Sequence, residues 1–198
     1  TTYSNWIMKR LPEKSGYKNG NAGFYDLGAT WSYTIDHLNK VNVYGYYSHD
    51  RFEFNENEKY AYSNLNASVN WRTILNEKVT ANLAAGYDHY DYMNDESTDA
   101  VAAARLKFAI NQVYAKVGFN HDLGNGHKLN YGLSTMLYDL QPGIYEPLND
   151  SSTVVRKELQ TEKALESALY IGDQWEINSK LSIDAGIRLS MFNALGKR

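Results

Sequence analysis

ALYIGDQWEINSKLSIDAGIRLSMF, residues 168–192, is the stretch whose reading decides the fold. In its second half Leu181, Ile183, Ala185, Ile187, Leu189 and Met191 alternate with Ser182, Asp184, Gly186, Arg188 and Ser190. A period of two sustained over that length means a β-strand with one apolar and one polar face. Leu169, Ile171, Trp175 and Ile177 give the first half the same alternation, and Asn178-Ser179-Lys180 between the halves reads as a tight turn. Each arm of this hairpin is long enough to cross a bilayer as a tilted strand, which takes roughly 9–11 residues.

Working outward, the same pattern returns along the chain. Tyr25, Leu27, Ala29, Trp31, Tyr33 and Ile35 share one face, and Val41, Val43, Gly45 and Tyr47 continue as a return strand to about Phe54. Leu65, Ala67, Val69 and Trp71 stand against Asn64, Asn66, Ser68, Asn70 and Arg72, a polar face too uniform for a dry core. Val79, Ala81, Leu83, Ala85 and Tyr87 oppose Thr80, Asn82, Gly86 and Asp88. Residues 101–123 predict a longer strand whose parity slips near Ile110–Gln112, as at a β-bulge or the exit from a membrane zone. Short turns near residues 37, 77, 125 and 179 alternate with polar or charged stretches at 9–22, 55–59, 90–99 and 142–161, which read as long loops. Outer-membrane barrels have that asymmetry, with short periplasmic turns and long extracellular loops. Trp31, Trp71 and Trp175 each precede a short turn on the apolar face, where an interfacial aromatic girdle would place them. The expected fold is therefore all-β, an antiparallel transmembrane β-barrel. About nine strands are counted, with Thr1–Ile7 taken as the end of the first. A closed bacterial single-chain barrel has an even number, so residues 1–198 read as part of one larger barrel domain.

The order Tyr170, Asp173, Trp175, Ile177, Lys180, Leu181, Gly186, Arg188 resembles a hairpin of TonB-dependent outer-membrane receptors. TTYSNWI (residues 1–7), GFYDLGATWSY (23–33) and YGYYSHDRF (44–52) resemble the same family's nutrient-importing members. The resemblance implies a barrel of about 22 strands around a plug, set in the cell outer membrane. It implies a receptor that binds a scarce nutrient at its extracellular loops and imports it when the TonB complex rearranges the plug. Neither the plug nor the box that contacts TonB is expected within this segment. Outer-membrane lipid, the TonB complex, a small-molecule, glycan or peptide nutrient, and a surface lipoprotein are the partners this implies.

Composition narrows the alternatives. A formal charge of -3 with no basic stretch argues against nucleic acid. The absence of cysteine excludes a disulfide framework and a thiolate zinc site. Seventeen tyrosines suit strands that meet both water and hydrocarbon. His37, His49, His89, His121 and His127 show no metal-ligand spacing, and Asp88, Asp91, Asp95, Glu96 and Asp99 lack the spacing and glycine of a calcium loop. No serine, histidine and acid converge on a catalytic motif, so neither an enzyme nor a bound cofactor is expected. The lumen-facing ionisable residues Asp26, Arg72, Asp88, Lys116, Asp184 and Arg188 are candidates for substrate contact, with pairing across strands or to a plug as the plainer role. Tyr46, Tyr62, Tyr90, Tyr92 and Tyr138 are expected mostly in an upper girdle, with stacking on a sugar or chelate as the other reading. Two further folds compete. A complete eight-stranded barrel, adhesin or structural protein, requires either Thr1–Ile7 or the last strand to lie outside the barrel, and an N-terminal strand paired with the strand ending at Phe192 would support it. A soluble carbohydrate-binding sandwich requires the three tryptophans to be buried.

Overall fold

The structure, a computed structural model, describes residues 20–55 and 57–197 together with residues 6, 9, 10 and 12. The elements are β1 (Asn21–Thr34), β2 (Asn39–Asn55), β3 (Glu58–Asn76), β4 (Val79–Glu96), β5 (Ala104–Gly124), β6 (His127–Pro147), β7 (Lys157–Glu158), β8 (Glu162–Asn178) and β9 (Leu181–Lys197). They form one antiparallel sheet in the order β1-β2-β3-β4-β5-β6-β8-β9, with the two-residue β7 beside β6. Among the described residues β1 pairs only with β2 and β9 only with β8, so the first and last long strands do not meet. The eight-stranded closure is therefore absent. The strand expected over Thr1–Ile7 lies, apart from Trp6, outside the described residues; the ninth strand of this sheet is the short β7 instead.

The alternation of side chains explains why a single layer stands alone. Buried apolar residues among those described are all alanines (Ala22, Ala61, Ala81, Ala103, Ala104 and Ala168), while Leu27 is 72% and Ile187 77% exposed. A water-soluble sheet would bury such residues against a second layer. Among the described residues there is no second layer, and the face carrying Leu65, Ala67, Val69 and Trp71 is more open than the polar face of Asn64, Asn66, Ser68 and Asn70. The polar face is thus the concave one. This is the inverse of a soluble sheet, and hydrocarbon is the solvent that it fits.

Each short turn is closed by a side chain with the same chemistry. Asp36 accepts from the backbone N–H of Leu38 and of Asn39, both at 2.8 Å. Asn76 does so for Lys78 and Val79, and Asn178 for Lys180 and Leu181. Asp122 accepts from Gly124 at 2.8 Å, and Asn125 follows with φ 53° between two glycines that also have positive φ. Asx side chains mimic a backbone turn and tolerate left-handed φ, which is why these four positions bend the chain.

Two sequence expectations change. The stretches at 55–59 and 90–99 are mostly strand: β2 and β3 meet across a tight connection at Asn55–Glu58, and β4 runs to Glu96. Longer connections on that side are residues 97–103 and 148–161, the latter containing β7. Nor does the backbone slip at Ile110–Gln112. Pairing of β5 with β4 is unbroken from His121 to Ala104, and register shifts occur only against β6, between Lys107 and Ala109 and between Asp122 and Gly124. The apolar residues themselves change sides, for a reason that concerns the site.

Candidate functional site

Register places every outward residue on a common grid. Tyr87, Val113, Leu137 and Leu165 form one outward row across β4, β5, β6 and β8; the next row up is His89, Asn111, Asp139 and Lys163. Below this line outward positions are mostly apolar, with Thr135, Ser167 and Asp173 among the exceptions. Above it they are charged and largely paired: Arg105 to Asp95 at 2.5 Å, Lys107 to Glu146 at 2.6 Å, Lys163 to Asp139 at 2.9 Å, and Arg51 to Glu53. Strands of 17 to 21 residues exceed the roughly 9–11 needed for a bilayer. The wall therefore continues beyond the membrane on the side away from the short turns.

Above the line the inward face becomes the apolar one. Leu106, Phe108 and Ile110 point inward on β5, whereas Val113, Ala115, Val117 and Phe119 point outward below. This is the change of parity visible in the sequence: the solvent outside switches from lipid to water and the side chains follow. The inward rows Asp50–Tyr62–Tyr92–Phe108 and Ser48–Asn64–Tyr90–Ile110–Leu140 carry the upper aromatics. Tyr92 and Phe108 stack with centroids 4.8 Å apart, Phe52 and Tyr62 at 6.2 Å, and Tyr90 lies 5.9 Å from Phe108. Tyr46, Tyr62, Tyr90, Tyr92 and Tyr138 thus belong to the lumen wall, not to an upper girdle. Counting by twos from Asp88 would have placed them there. Beside them a largely apolar hollow of about 400 Å³ is lined by Tyr138, Leu140, Ala164, Phe192 and Ala194, with Glu162 and Lys163 at its border.

The six ionisable candidates all take inward positions, yet none pairs with another across strands. Asp88 accepts from the Asn66 amide, Lys116 lies 5.2 Å over the Tyr114 ring, and Arg188 donates to Ser134 Oγ at 3.3 Å. Lys40 and Arg72 are direct partners in the register, two like charges side by side. Asp26, Arg72 and Asp184 make no side-chain hydrogen bond or ion pair within the described residues. Lumen-wall glycines make room for tyrosines: the Tyr170 hydroxyl sits where a Cβ of Gly118 or Gly132 would be, 2.7 Å from either.

Trp31, Trp71 and Trp175 lie on the outward face three, five and three residues before the ends of β1, β3 and β8. They are 58%, 42% and 40% exposed, where a sandwich would bury them. Trp71 donates to Asn39 Oδ1 at 3.1 Å, and Trp175 stacks on His127, whose Nδ1 is 2.7 Å from Asp173. Of the acidic run, Asp88 points inward while Asp91 and Asp95 point outward, so its oxygens do not converge. Among the described residues no cluster of acid and histidine side chains is arranged to hold a metal ion.

The sequence pattern described as TonB dependent receptor-like, beta-barrel matches residues 4–197. The chain belongs to that family. It is a section of a TonB-dependent receptor barrel, and its place is the outer membrane. Solved structures agree in fold. FpvA of P. aeruginosa, described as bound to heterologous pyoverdines, superposes with a TM-score of 0.73 at 9% identity, covering 93% of this chain and 33% of FpvA. The ferric-catecholate import receptor Fiu of E. coli K12 gives 0.70 at 9%, covering 90% and 38%. The copper transporter OprC gives 0.70 at 8%, covering 85% and 28%. The chain thus spans about a third of the length of these receptors. No curated protein matches it.

Proposed function

We propose that this receptor section is part of the wall of an outer-membrane active transporter, which binds a scarce nutrient at its extracellular side and imports it through a plugged barrel. The observation that carries the reading is the line where the outward face turns from apolar to charged. It gives the wall a membrane-level half and a vestibule beyond it. On this reading the vestibule receives the nutrient, and the inward side chains Asp26, Arg72, Asp88, Lys116, Asp184 and Arg188 face the plug or the passing solute. Having no ionic partner among the described residues, they are available to either. Trp31, Trp71 and Trp175 anchor the short-turn side at the lipid interface. TonB acts through the plug and not through these strands.

The test is uptake in cells carrying the whole receptor, with and without TonB. Nutrient accumulation that needs both is the expected result. Passage that needs the barrel but proceeds unchanged without TonB would make the wall that of a passive channel.

A further inference from the structure

The inner wall changes chemistry at the same level as the outer one. At membrane level its charged groups include Lys40, Arg72, Lys116 and Arg188, none of them in an ion pair among the described residues. In the vestibule Tyr62, Tyr92 and Phe108 share one inward row, with Phe52 and Tyr90 stacked or tilted against it, all half-buried. Around this ring surface the inward polar groups include Asp26, Asp50 and Asp88 with Ser48, Asn64, Asn66 and Gln112, and Glu58, Asn94 and Glu96 follow higher on the same face. Among the described residues, no inward position of β1–β6 above the line is lysine or arginine.

We propose that this wall is an entry subsite for a neutral, polyhydroxylated ligand, an oligosaccharide. The inference rests on the transporter reading and names the class of its cargo. Carboxylates accept hydrogen bonds and do not donate, so a matching ligand must donate. An anionic chelate would meet carboxylates and, among the described residues of β1–β6, no base, a like-charge arrangement that disfavours binding. A wholly apolar solute would cover those carboxylates and amides without satisfying them, which is costly. A sugar ring meets both demands: its C–H face lies flat on the rings of Tyr92, Phe108 and Tyr62, and its edge hydroxyls donate to Asp50 and Asp88. The rings are pre-stacked, so little side-chain freedom is lost when the ligand lands.

The experiment uses the whole receptor in detergent micelles. Binding is titrated calorimetrically with maltoheptaose, xylohexaose, mannohexaose and chitohexaose, alongside oligogalacturonate and a ferric catecholate as anionic comparators. The expected result is that at least one neutral oligosaccharide binds and the anions do not. Tyr92→Ala and Phe108→Ala should then weaken it at least tenfold, while Tyr92→Phe, which keeps the ring, stays within about twofold. Retained heat-modifiable mobility on gels shows that the variants are folded. Binding of an anion with no neutral sugar bound, binding of nothing, or sugar binding indifferent to Tyr92 and Phe108 each overturns the proposal. TonB-dependent uptake of the ferric catecholate in the same cells would leave the transporter standing while the sugar subsite falls; loss of the TonB requirement would bring down the transporter reading.

Discussion

An arginine placed at Val69 should cost far more than one placed at Ser68, its neighbour on the same strand. Val69 points outward and is flanked in register by Val43 and Ala85; Ser68 points inward between Tyr44 and Gly86. The outward face of β3 stays apolar one row beyond that of β4, through Leu65 opposite His89, and leaves its apolar zone at Ser63. Val69 is six residues below, about 20 Å along the strand at ~3.4 Å per residue, or about 14 Å in depth for a tilt near 45°. The apolar band of such barrels is about 25 Å tall, so Val69 sits near its middle. There Val69→Arg should destabilise the folded receptor by about 2–4 kcal/mol. Leu65→Arg, only two residues below the line and thus about 5 Å deep, should cost about 0–1 kcal/mol. Ser68→Arg, which faces lumen water, should stay within about 1 kcal/mol. Urea-induced folding and unfolding of the whole receptor in lipid vesicles, followed by tryptophan emission, measures all three. Equal penalties at 68 and 69 would mean that both faces see the same solvent. Equal penalties at 65 and 69 would mean that no boundary lies at Ser63.

Three further outcomes follow from particular contacts. Gly132→Ala should destabilise by about 1–3 kcal/mol, because its new Cβ would run into the Val117 carbonyl and lie 2.7 Å from the Tyr170 hydroxyl. Gly28→Ala, whose Cβ would meet Tyr46 at 3.6 Å and the Gly45 carbonyl at 4.0 Å, both ordinary contacts, should be neutral or gain up to about 1 kcal/mol in the same unfolding assay. Backbone hydrogen bonds from Leu38, then the Asn39 side chain, hold the exposed Asp36 carboxyl below its usual pKa. A depressed folded-state pKa means that its contribution is present at neutral pH and fades as pH falls through that value, below about 3.9. The stability gap between the receptor and its Asp36→Ala variant should therefore be open at pH 7 and narrow as the pH falls below the ordinary carboxylate range; a gap that persists unchanged would remove the carboxylate from the account. Finally, variants retaining only Trp31, Trp71 or Trp175 should be quenched more strongly by lipids brominated near the headgroup than by lipids brominated at the chain ends. Stronger quenching from the chain ends would dissolve the girdle.

Most of the membrane-level wall was legible from spacing alone. Leu65, Ala67, Val69 and Trp71 and the four Asx turns are local features, and a period of two survives whatever lies across the sheet. What failed was the assumption that charge means loop. Tyr90-Asp91-Tyr92-Met93-Asn94-Asp95 keeps the alternation but reverses its sense, with rings inward and acids outward, because water has replaced lipid beyond the line. The girdle assignment of Tyr62 and Tyr90 failed for the same reason. Cross-strand pairing of Arg72, Lys116 and Arg188 was not readable, since register between distant strands decides which side chains meet. That Lys40 faces Arg72 depends on where β2 and β3 are pinned by their tight connection.

The row His89, Asn111, Asp139 and Lys163 also limits how this wall adapts to a different lipid environment. Lengthening a strand by one residue turns its lipid-facing side chains into the lumen, so growth comes in pairs. One pair adds about 7 Å of strand and about 5 Å of height, whereas bilayers differ among themselves by only a few ångströms. Insertion is thus too coarse a ruler. Fine matching of protein to bilayer thickness falls to the chemistry of that row: exchanging an ionic side chain there for an apolar one raises the hydrophobic rim locally while the backbone stays as it is.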